Sequence, residues 1–322
     1  MNRCLYCYQP LDEVNVDFHP ACSRKIFSQP TPPELPYTEE QMGQLALQII
    51  QSQTAVTGAQ PKLSLHITKG ETKNSPRRFT IVGLWGGYIL KPPTLHYNQL
   101  PEVEDLTMHL ASIANIQVVP HCLIRLQSGS MAYITKRIDR TEKGKIQMED
   151  MCQLTEHLTE EKYHGSYEQI AKTILKYSAN PMLDVVNFFE QVVFSFLTGN
   201  ADMHLKNFSL INQSGLGHVL APAYDLVATA LVNPADNEDV ALTLNGKKKK
   251  LRHNDFLEAF TTLKLDPKQM ENIFNKMKKA YPKWLDFIDI SFLSSDYKEA
   301  YKVILNERYS RVMPKTDIWV IS

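Results

Sequence analysis

The most informative part of this 322-residue sequence is residues 199–210, which read GNADMHLKNFSL. They follow an apolar segment that ends at Leu197 and has the periodicity of a helix. Asp202 and Asn207 are separated by four residues, and Lys206 directly precedes the asparagine. This spacing is typical of a loop in which the aspartate accepts a proton from a hydroxyl group and the asparagine binds a metal ion. We expect Lys206 to add positive charge beside a transferred phosphoryl group.

A second carboxylate that phosphoryl transfer requires follows at Asp225, in the segment AYDL at residues 223–226. In a protein kinase such a carboxylate and the loop asparagine hold Mg²⁺, which neutralises the phosphate oxygens. Val227 stands where the Asp-Phe-Gly motif of ordinary protein kinases has its glycine. The pattern therefore indicates a kinase that differs from the ordinary protein kinases.

A candidate phosphate-binding lysine lies upstream, because Lys91 ends the predicted strand at residues 88–91. Burial of its charge is costly unless the lysine meets an anion. In a kinase the α- and β-phosphates of ATP are that anion, and a carboxylate on a helix orients the lysine. Either Glu104 or Glu102, on the helix predicted over residues 102–114, can supply that carboxylate.

A candidate phosphate-covering loop precedes the first predicted strand, at residues 54–62, which read TAVTGAQPK. Small residues around one glycine allow backbone N–H groups to face phosphate oxygens. The candidate nucleotide-binding residues of this loop are Val56, Thr57, Gly58, Ala59, Gln60 and Lys62.

Each of these features has a plainer structural explanation. Asp202 and its partner asparagine can cap a turn, and Asp225 can be a turn residue. Lys91 can extend to solvent, and the loop at residues 54–62 can be only a turn. His204 can be a packing residue or take a direct part in catalysis. We prefer the kinase interpretation because the features occur in the order that a kinase requires.

The composition restricts the class of protein. Lys and Arg number 35, as do Asp and Glu, so the formal net charge is zero. The zero net charge argues against a protein that binds nucleic acid through charge alone. The lysine run at residues 247–250 is interpreted as a solvated hairpin, with DNA binding as the alternative. The start of the chain lacks the apolar run of a signal peptide, and the most apolar segment, residues 182–197, is interrupted by polar residues.

The organisation along the chain predicts an α+β fold with two lobes. Residues 1–28 carry three of the five cysteines, and residues 29–37 are a proline-rich linker. Residues 38–140 mix predicted strands with helices and form the smaller N-lobe. A capping box of Thr38 and Gln41 predicts the start of a helix, residues 61–67 alternate as a strand does, and an antiparallel pair of strands is predicted around Ser128 and Gly129. Residues 141–322 form the mostly helical C-lobe, with one of its helices predicted at residues 270–280.

The cysteine-rich segment predicts a structural zinc site. Cys4, Cys7, His19 and Cys22 form two short pairs, and three thiols with one imidazole suit tetrahedral Zn²⁺. A segment of 28 residues has few other means of holding itself together. The alternative is an unfolded end with free thiols.

The sequence resembles the HipA-type toxin kinases of bacterial toxin–antitoxin modules. The resemblance spans residues 40–260 and is most specific at residues 199–210. Further matching segments are TGAQPKLSL at 57–65, ILKP at 89–92, LPEVE at 100–104, residues 133–140, GSYEQI at 165–170 and LAPAYDL at 220–226. Val103 departs from the Glu-Asn-Glu that is usual in the family.

The resemblance implies a two-lobed kinase-like fold and Ser/Thr protein kinase activity with ATP and Mg²⁺. It implies Asp202 as catalytic base, Asn207 and Asp225 on the metal, and Lys91 on phosphate. It also implies that the adenine binds backbone groups of Lys136 and Ile138, where the lobes connect. Family members phosphorylate an aminoacyl-tRNA synthetase, which arrests translation and growth.

Family members also autophosphorylate a serine in the glycine loop, which displaces that loop. Ala55 stands at this position here, so we expect Thr57 to be the acceptor, with Thr54 as the second candidate. A phosphate adds about −1.5 to −2 charges, enough to displace a loop that binds ATP.

The resemblance also implies partners. Family members of full length carry a further N-terminal subdomain, whereas this chain reaches its predicted kinase core near residue 38. It therefore resembles the split, HipT-like form, in which a separate small HipS-like protein supplies that subdomain. A HipB-like helix-turn-helix antitoxin is expected as well, with DNA contacted only through the antitoxin. The expected location is the bacterial cytoplasm, and export into a host by a route without an N-terminal signal stays open.

Two other function classes remain. One is a catalytically silent scaffold that uses the kinase fold to assemble a toxin–antitoxin repressor complex. The other is a kinase for a lipid or a small metabolite. The presence of Lys91, Asp202, Asn207 and Asp225 together argues against the scaffold, and the absence of an amphipathic membrane-binding pattern argues against the lipid kinase.

Overall fold

The computed structural model describes residues 2–13, 15–52, 62–69, 76–82, 85–141 and 144–313, without the side chains of residues 46–52. The chain divides into two compact units. The sheet unit comprises residues 1–105, 119–145 and 290–292, and the helical unit comprises residues 106–118, 146–289 and 293–322.

The sheet unit is built on an antiparallel sheet, with the strand order β2-β1-β3-β5-β4 among the described residues. The elements that begin in this unit are α1 (Pro20–Phe27), α2 (Glu39–Ser52), β1 (Leu63–Thr68), β2 (Arg78–Val82), β3 (Tyr88–Lys91), α3 (Leu100–Ile113), β4 (His121–Arg125), β5 (Met131–Lys136), β6 (Arg140–Thr141) and β7 (Gly144–Lys145). The division between the units falls within α3, between Asp105 and Leu106.

The local sequence explains where several of these elements begin and end. Thr38 and Gln41 exchange hydrogen bonds of 3.0 and 3.4 Å, which is the capping box predicted for the start of α2. In β1, Leu63 and Leu65 are buried and Ser64 between them is half-buried, the two-residue period of a strand. The predicted pairing around Ser128 and Gly129 is also present, as the antiparallel pair β4–β5.

The N-terminal segment packs into the same core as the sheet. Cys4, Leu5, Ile26 and Phe27 are buried in one cluster with residues of the sheet strands. The ring of Phe27 lies 5.8 Å from that of Phe79 in an edge-to-face arrangement. The described residues between Cys4 and Leu35 therefore share one hydrophobic core with the sheet.

Two edges of the sheet are covered by this N-terminal segment. At β4 the N–H of Leu123 donates to the carbonyl of Leu5 at 3.1 Å. At β2 the N–H of Phe79 donates to the carbonyl of Glu34 at 2.8 Å, so the proline-rich residues also pair with the sheet. Covered edges have fewer unpaired backbone groups, which stabilises the sheet and prevents pairing with other chains.

The helical unit contains a small antiparallel sheet with the order β10-β9-β8 and most of the long helices. Its elements are β8 (Met148–Asp150), α4 (Met151–Leu154), α5 (Tyr167–Tyr177), α6 (Pro181–Leu197), β9 (Ser209–Gln213), β10 (Gly217–Leu220), α7 (Thr229–Val232), α8 (His253–Thr262), α9 (Pro267–Asp289) and α10 (Ser295–Val312). The predicted helix at residues 270–280 is longer than expected, because α9 continues through Pro282 to Asp289.

The core of the helical unit surrounds α6, which is buried on almost every side. Phe194 packs edge-to-face on Trp284 at 5.5 Å, and the indole N–H of Trp284 donates to the carbonyl of Leu110 at 2.8 Å. The buried Asp184 accepts a hydrogen bond of 2.8 Å from the N–H of Leu220. This partner explains how the apolar helix tolerates the buried carboxylate of Asp184. Among the described residues, no helix combines the length and the apolar character that a membrane span requires.

Candidate active site

The loop at residues 199–210 begins where α6 ends, as predicted. Gly199 has a φ of +70°, and a Cβ there would lie 2.9 Å from Ile304 and 3.0 Å from Ala230. A larger residue would be both strained and crowded at this position. The N–H of Ala230 donates to the Gly199 carbonyl at 2.9 Å, which fixes the reversal of the chain. Gly199 therefore directs the loop away from the buried helix.

Asp202 is half-buried and oriented by neighbours on two sides. Its Oδ1 accepts a hydrogen bond of 2.6 Å from the hydroxyl group of Tyr163. Its N–H donates to Oδ1 of Asn200 at 3.1 Å, and the preceding N–H of Ala201 donates to the hydroxyl oxygen of Thr229 at 2.8 Å. The carboxylate is therefore held in place while part of it remains accessible, as a proton acceptor requires.

Asn207 is buried and its amide is oriented by the backbone of Asp202. Its Nδ2 donates to the Asp202 carbonyl at 2.9 Å. The same carbonyl accepts the N–H of His204 at 2.8 Å, so the loop is closed on itself. Because Nδ2 is the donor in this contact, Oδ1 is the atom that Asn207 can offer to a cation. An amide oxygen is a ligand type that Mg²⁺ accepts.

Asp225 lies in the same unit, on a segment that is hydrogen-bonded to the C-terminal part of that loop. The hydroxyl group of Tyr224 donates to the carbonyl of Lys206 at 3.0 Å, and the N–H of Ala221 donates to the carbonyl of Ser209 at 2.9 Å. The N–H of Ala223 donates to the carbonyl of Gln117 at 2.8 Å, which fixes the chain just before Asp225. Asp225 itself has a φ of 57°, an uncommon backbone conformation for a residue other than glycine. Such conformations cluster at functional sites, where surrounding structure maintains them. The charges of Asp202 and Asp225 both act to raise the pKa of His204, against the larger effect of its burial.

His204 is buried and neutral at physiological pH. Burial lowers its pKa to about 4, although the charge of Asp202 acts in the opposite direction. Its ring packs edge-to-face on Tyr163 at 5.0 Å. Among the described atoms its Nδ1 has no hydrogen-bond partner. His204 therefore supports the ring that orients Asp202 and contributes no positive charge to the site.

Lys206 is placed on a carboxylate that the sequence analysis did not identify. Its Nζ lies 3.0 Å from Oδ2 of Asp150. Asp150 is also the N-cap of α4, where Oδ1 accepts the N–H of Gln153 at 3.0 Å. A partly exposed pair of this kind contributes little to stability. It fixes the direction of the Lys206 side chain, whose neighbour in the sequence is Asn207.

The sheet unit contains the predicted lysine–carboxylate pair. Lys91 is 3% exposed and its Nζ donates to Oε1 of Glu104, which is fully buried. The ammonium group also lies 5.4 Å from the ring centroid of Tyr133. Glu104 rather than Glu102 is thus the partner of the lysine. Glu102 is half-buried, and burial raises the pKa of its carboxyl group.

The predicted nucleotide-binding residues that remain are described only in part. Thr54, Val56, Thr57, Gly58, Ala59 and Gln60 lie outside the described residues. Lys62 is exposed just before β1. The N–H of Lys136 donates to the carbonyl of Pro120 at 2.9 Å, so this residue can offer an adenine only its carbonyl. Ile138 lies in the turn that follows β5.

The four predicted zinc ligands converge in the sheet unit. The ligand atoms of Cys4, Cys7, His19 and Cys22 all lie within 4.8 Å of one another. Nδ1 of His19 lies 3.5 Å from the Cys7 sulfur and 3.8 Å from the Cys22 sulfur. Burial raises the pKa of the Cys4 thiol, but hydrogen bonds from the N–H groups of His19, Tyr6 and Cys7 outweigh it, and the net pKa is lowered. The donor set and its spacing fit tetrahedral zinc.

The sheet with its buried lysine–glutamate pair and the helical unit with its Asp–Asn loop define a two-lobed α+β fold of the kinase type. The chain belongs to the HipA-like C-terminal domain family, whose sequence model matches residues 54–285. The predictions of this fold and of this family are both confirmed.

Two curated relatives are similar to this chain. A protein of Haemophilus influenzae named "Putative kinase" is 30% identical over 249 residues, which are 71% of this chain and 69% of the relative. "Putative kinase Y4dM" of Sinorhizobium fredii is 32% identical over 209 residues, which are 61% of this chain and 50% of the relative. The chain thus spans half the length of the second relative.

Two solved structures show the same fold. The toxin chain of the Shewanella oneidensis MR-1 complex of HipA, HipB and operator DNA superposes with a TM-score of 0.64 and 19% identity, over 87% of this chain and 74% of that one. The proinflammatory kinase CtkA of Helicobacter pylori superposes with a TM-score of 0.54 and 18% identity, over 78% of this chain and 93% of that one.

Proposed function

We propose that this protein is a protein kinase that transfers the γ-phosphate of ATP to a serine or threonine hydroxyl group. The observation that carries the proposal is the order within residues 199–210. Asp202 is oriented by Tyr163, and Asn207 is turned so that its amide oxygen can bind a cation. The names of the relatives and the family membership support the same activity.

The side chains divide the work of the reaction. The oxygen of the substrate hydroxyl group bonds to the γ-phosphorus, and Asp202 accepts the proton of that hydroxyl group. The bond between the γ-phosphorus and the β–γ bridging oxygen breaks, which releases ADP. Asn207 and Asp225 would hold Mg²⁺, which supplies neutralisation of phosphate charge. Lys91, oriented by Glu104, binds the α- and β-phosphates. Lys206 adds positive charge beside the transferred group.

The substrate that the resemblance implies is an aminoacyl-tRNA synthetase, whose phosphorylation would arrest translation and growth. The same activity directed at the chain itself would modify Thr57 or Thr54. We further propose a HipB-like antitoxin as partner, since the similar Shewanella toxin is described in complex with HipB and operator DNA. The resemblance to the family supports these proposals, and with them we propose a location in the bacterial cytoplasm.

The decisive experiment compares the parent chain with Asp202→Asn. Both are expressed in bacteria, and growth, phosphoproteome and incorporation of labelled phosphate by the purified proteins are measured. We expect the variant to lose about 10²–10⁴-fold in rate, the usual contribution of a general base. Asp296→Asn, which alters an exposed carboxylate on α10, is the matched control and should behave as the parent. Equal phosphosites and equal growth for parent and Asp202→Asn would refute the proposal and favour a silent scaffold.

A further inference from the structure

The cysteine cluster is built as a metal site beyond its four ligands. Nε2 of His19 donates to the carbonyl of Pro10 at 3.0 Å, which leaves Nδ1 unprotonated and facing the thiols. A metal-bound histidine is commonly oriented by such a hydrogen bond on its second nitrogen. Within residues 4–9 the N–H of Cys4 donates to the carbonyl of Gln9, and the N–H of Tyr8 donates to the carbonyl of Cys4, both at 2.9 Å. The turn that carries Cys4 and Cys7 is therefore closed.

The cluster also fixes the first helix against the sheet. His19 and Cys22 lie at the start of α1, and Ile26 and Phe27 lie at its end in the core. The hydroxyl group of Tyr88 donates to the carbonyl of Ile26 at 2.9 Å. A metal held by both pairs of ligands would thus join residues 4–8 to α1, and through α1 to β3.

Tyr8 connects this cluster to α3. It follows Cys7 directly and is fully buried with a φ of 63°, a conformation that a bulky residue keeps only when surrounding structure imposes it. Its hydroxyl group donates to Oδ2 of Asp105 at 2.8 Å, and its ring packs edge-to-face on Phe292 at 4.7 Å. Asp105 Oδ1 accepts a second bond of 2.6 Å from Nδ1 of His121.

Asp105 is the residue that follows Glu104 on α3. The carboxylate of Glu104 pairs with Lys91. The hydrogen bond from Tyr8 therefore fixes α3 at the residue next to that pair. A displacement of Tyr8 would remove one of the hydrogen bonds that position this part of α3. The order of the turn at residues 4–8 is thereby linked to the geometry of the Lys91–Glu104 pair.

We propose that a zinc ion bound by Cys4, Cys7, His19 and Cys22 holds Tyr8 against Asp105, and that its occupancy sets the position of Glu104 relative to Lys91. Binding converts the thiols to thiolates and releases their protons. Removal of the metal would loosen the turn, the start of α1 and the first turns of α3 together. The effect on phosphate transfer rests on the proposed function, whereas the metal site and its link to α3 do not.

The metal itself is tested by elemental analysis of the full chain purified without chelators. We expect about one zinc per chain, since a closed set of four protein ligands binds one ion. Cobalt added to metal-free protein should give the visible absorption bands of a tetrahedral thiolate site. Cys22→Ser should lose the metal, and Cys152→Ser, which alters a buried cysteine of the helical unit, should keep it. A parent protein that contains no zinc and gives no cobalt spectrum would overturn the proposal.

The link to α3 is tested with Tyr8→Phe, which retains every metal ligand. Amide hydrogen exchange of residues 100–105 reports the order of α3 without any need for turnover. We expect zinc content to be unchanged and exchange of this segment to accelerate at least tenfold, as it should in chelator-treated parent protein. Tyr6→Phe, in the same turn, is the matched control and should leave exchange unchanged. Equal protection of residues 100–105 in parent, chelated protein and Tyr8→Phe would refute the link.

The two proposals fail separately in these experiments. If zinc binding and protection of α3 are coupled but the parent transfers no phosphate, the proposed kinase activity is wrong and the metal link stands. If the parent is an active kinase and its rate and α3 protection do not change when zinc is removed, the metal link is wrong and the kinase activity stands.

Discussion

The hydroxyl group of Tyr163 donates a hydrogen bond of 2.6 Å to Oδ1 of Asp202, across 39 residues of sequence. Burial, followed by the charge of Asp202, raises the pKa of Tyr163, so the hydroxyl remains a donor at every physiological pH. This contact orients the proposed catalytic base from outside its own loop.

Tyr163→Phe should therefore slow phosphate transfer while the ring contact with His204 is retained. A hydrogen bond to a charged group contributes about 1.5–3 kcal/mol, so we expect roughly a 10- to 100-fold loss in kcat with little change in KM for ATP. Steady-state kinetics at saturating ATP measure this. Tyr177→Phe, which removes the hydroxyl of an exposed tyrosine on α5, is the control. An unchanged kcat in Tyr163→Phe would show that the contact is structural.

The neutral His204 predicts a loss of stability in mild acid. Its pKa is lowered by burial from 6.5 to about 4, so the unfolded chain binds a proton between these values and the folded chain does not. The free energy of unfolding should therefore fall as pH is lowered from 6.5 toward 4, by roughly 3 kcal/mol for this group. Urea unfolding of the parent and of His204→Gln at several pH values checks it.

The variant should show a flatter pH dependence within that window, because it lacks the titrating group. His96→Gln, at an exposed histidine, should follow the parent. Parallel pH profiles for the parent and His204→Gln would contradict the burial argument.

The Lys91–Glu104 pair predicts a stability effect that a double substitution relieves. Lys91→Met leaves the Glu104 carboxylate without its ammonium partner in a buried site, which costs about 3–5 kcal/mol. Combining it with Glu104→Gln removes both charges and should restore most of the unfolding free energy. ATP binding, measured by calorimetry, should remain weakened in both variants. If the double variant were as unstable as the single one, the ion pair would not be the cause.

Lys206 can act on the transferred phosphate or serve only as the partner of Asp150, and variants of the two residues distinguish these roles. If Lys206 acts on the transferred phosphate, Lys206→Met should lose roughly 10- to 100-fold in kcat, as expected for loss of a charge-assisted contact in the transition state. Its unfolding free energy should change by about 1 kcal/mol or less, since the pair is partly exposed. Asp150→Asn keeps the N-cap of α4 and should retain activity. Equal losses in both variants would assign the effect to the pair.

Much of the fold could be predicted because its signals are local. The capping box at Thr38 and Gln41 and the alternation in β1 and in β4–β5 depend on residues close in sequence, and all are present. The β9–β10 hairpin was not predicted, because its short segments lack a clear alternation of apolar and polar residues. The full length of α9 was missed because proline usually ends a helix, and here Pro282 lies inside one.

The sequence by itself determined which candidate residues lie together in short segments, because the spacing of Asp202 and Asn207 and the pattern of Cys4, Cys7, His19 and Cys22 are short-range. The choice of partners came only from the tertiary structure. Tyr163 reaches Asp202 over 39 residues, Lys206 reaches Asp150 over 56, and Tyr8 reaches Asp105 over 97. No local pattern marks one tyrosine or one carboxylate among many, because such contacts are set by the packing of the sheet unit or the helical unit as a whole. For the same reason the sequence left Glu102 and Glu104 as equal candidates for the partner of Lys91. The structure shows that Glu104 is the partner, because its side chain is fully buried in contact with the lysine, whereas Glu102 is half-buried.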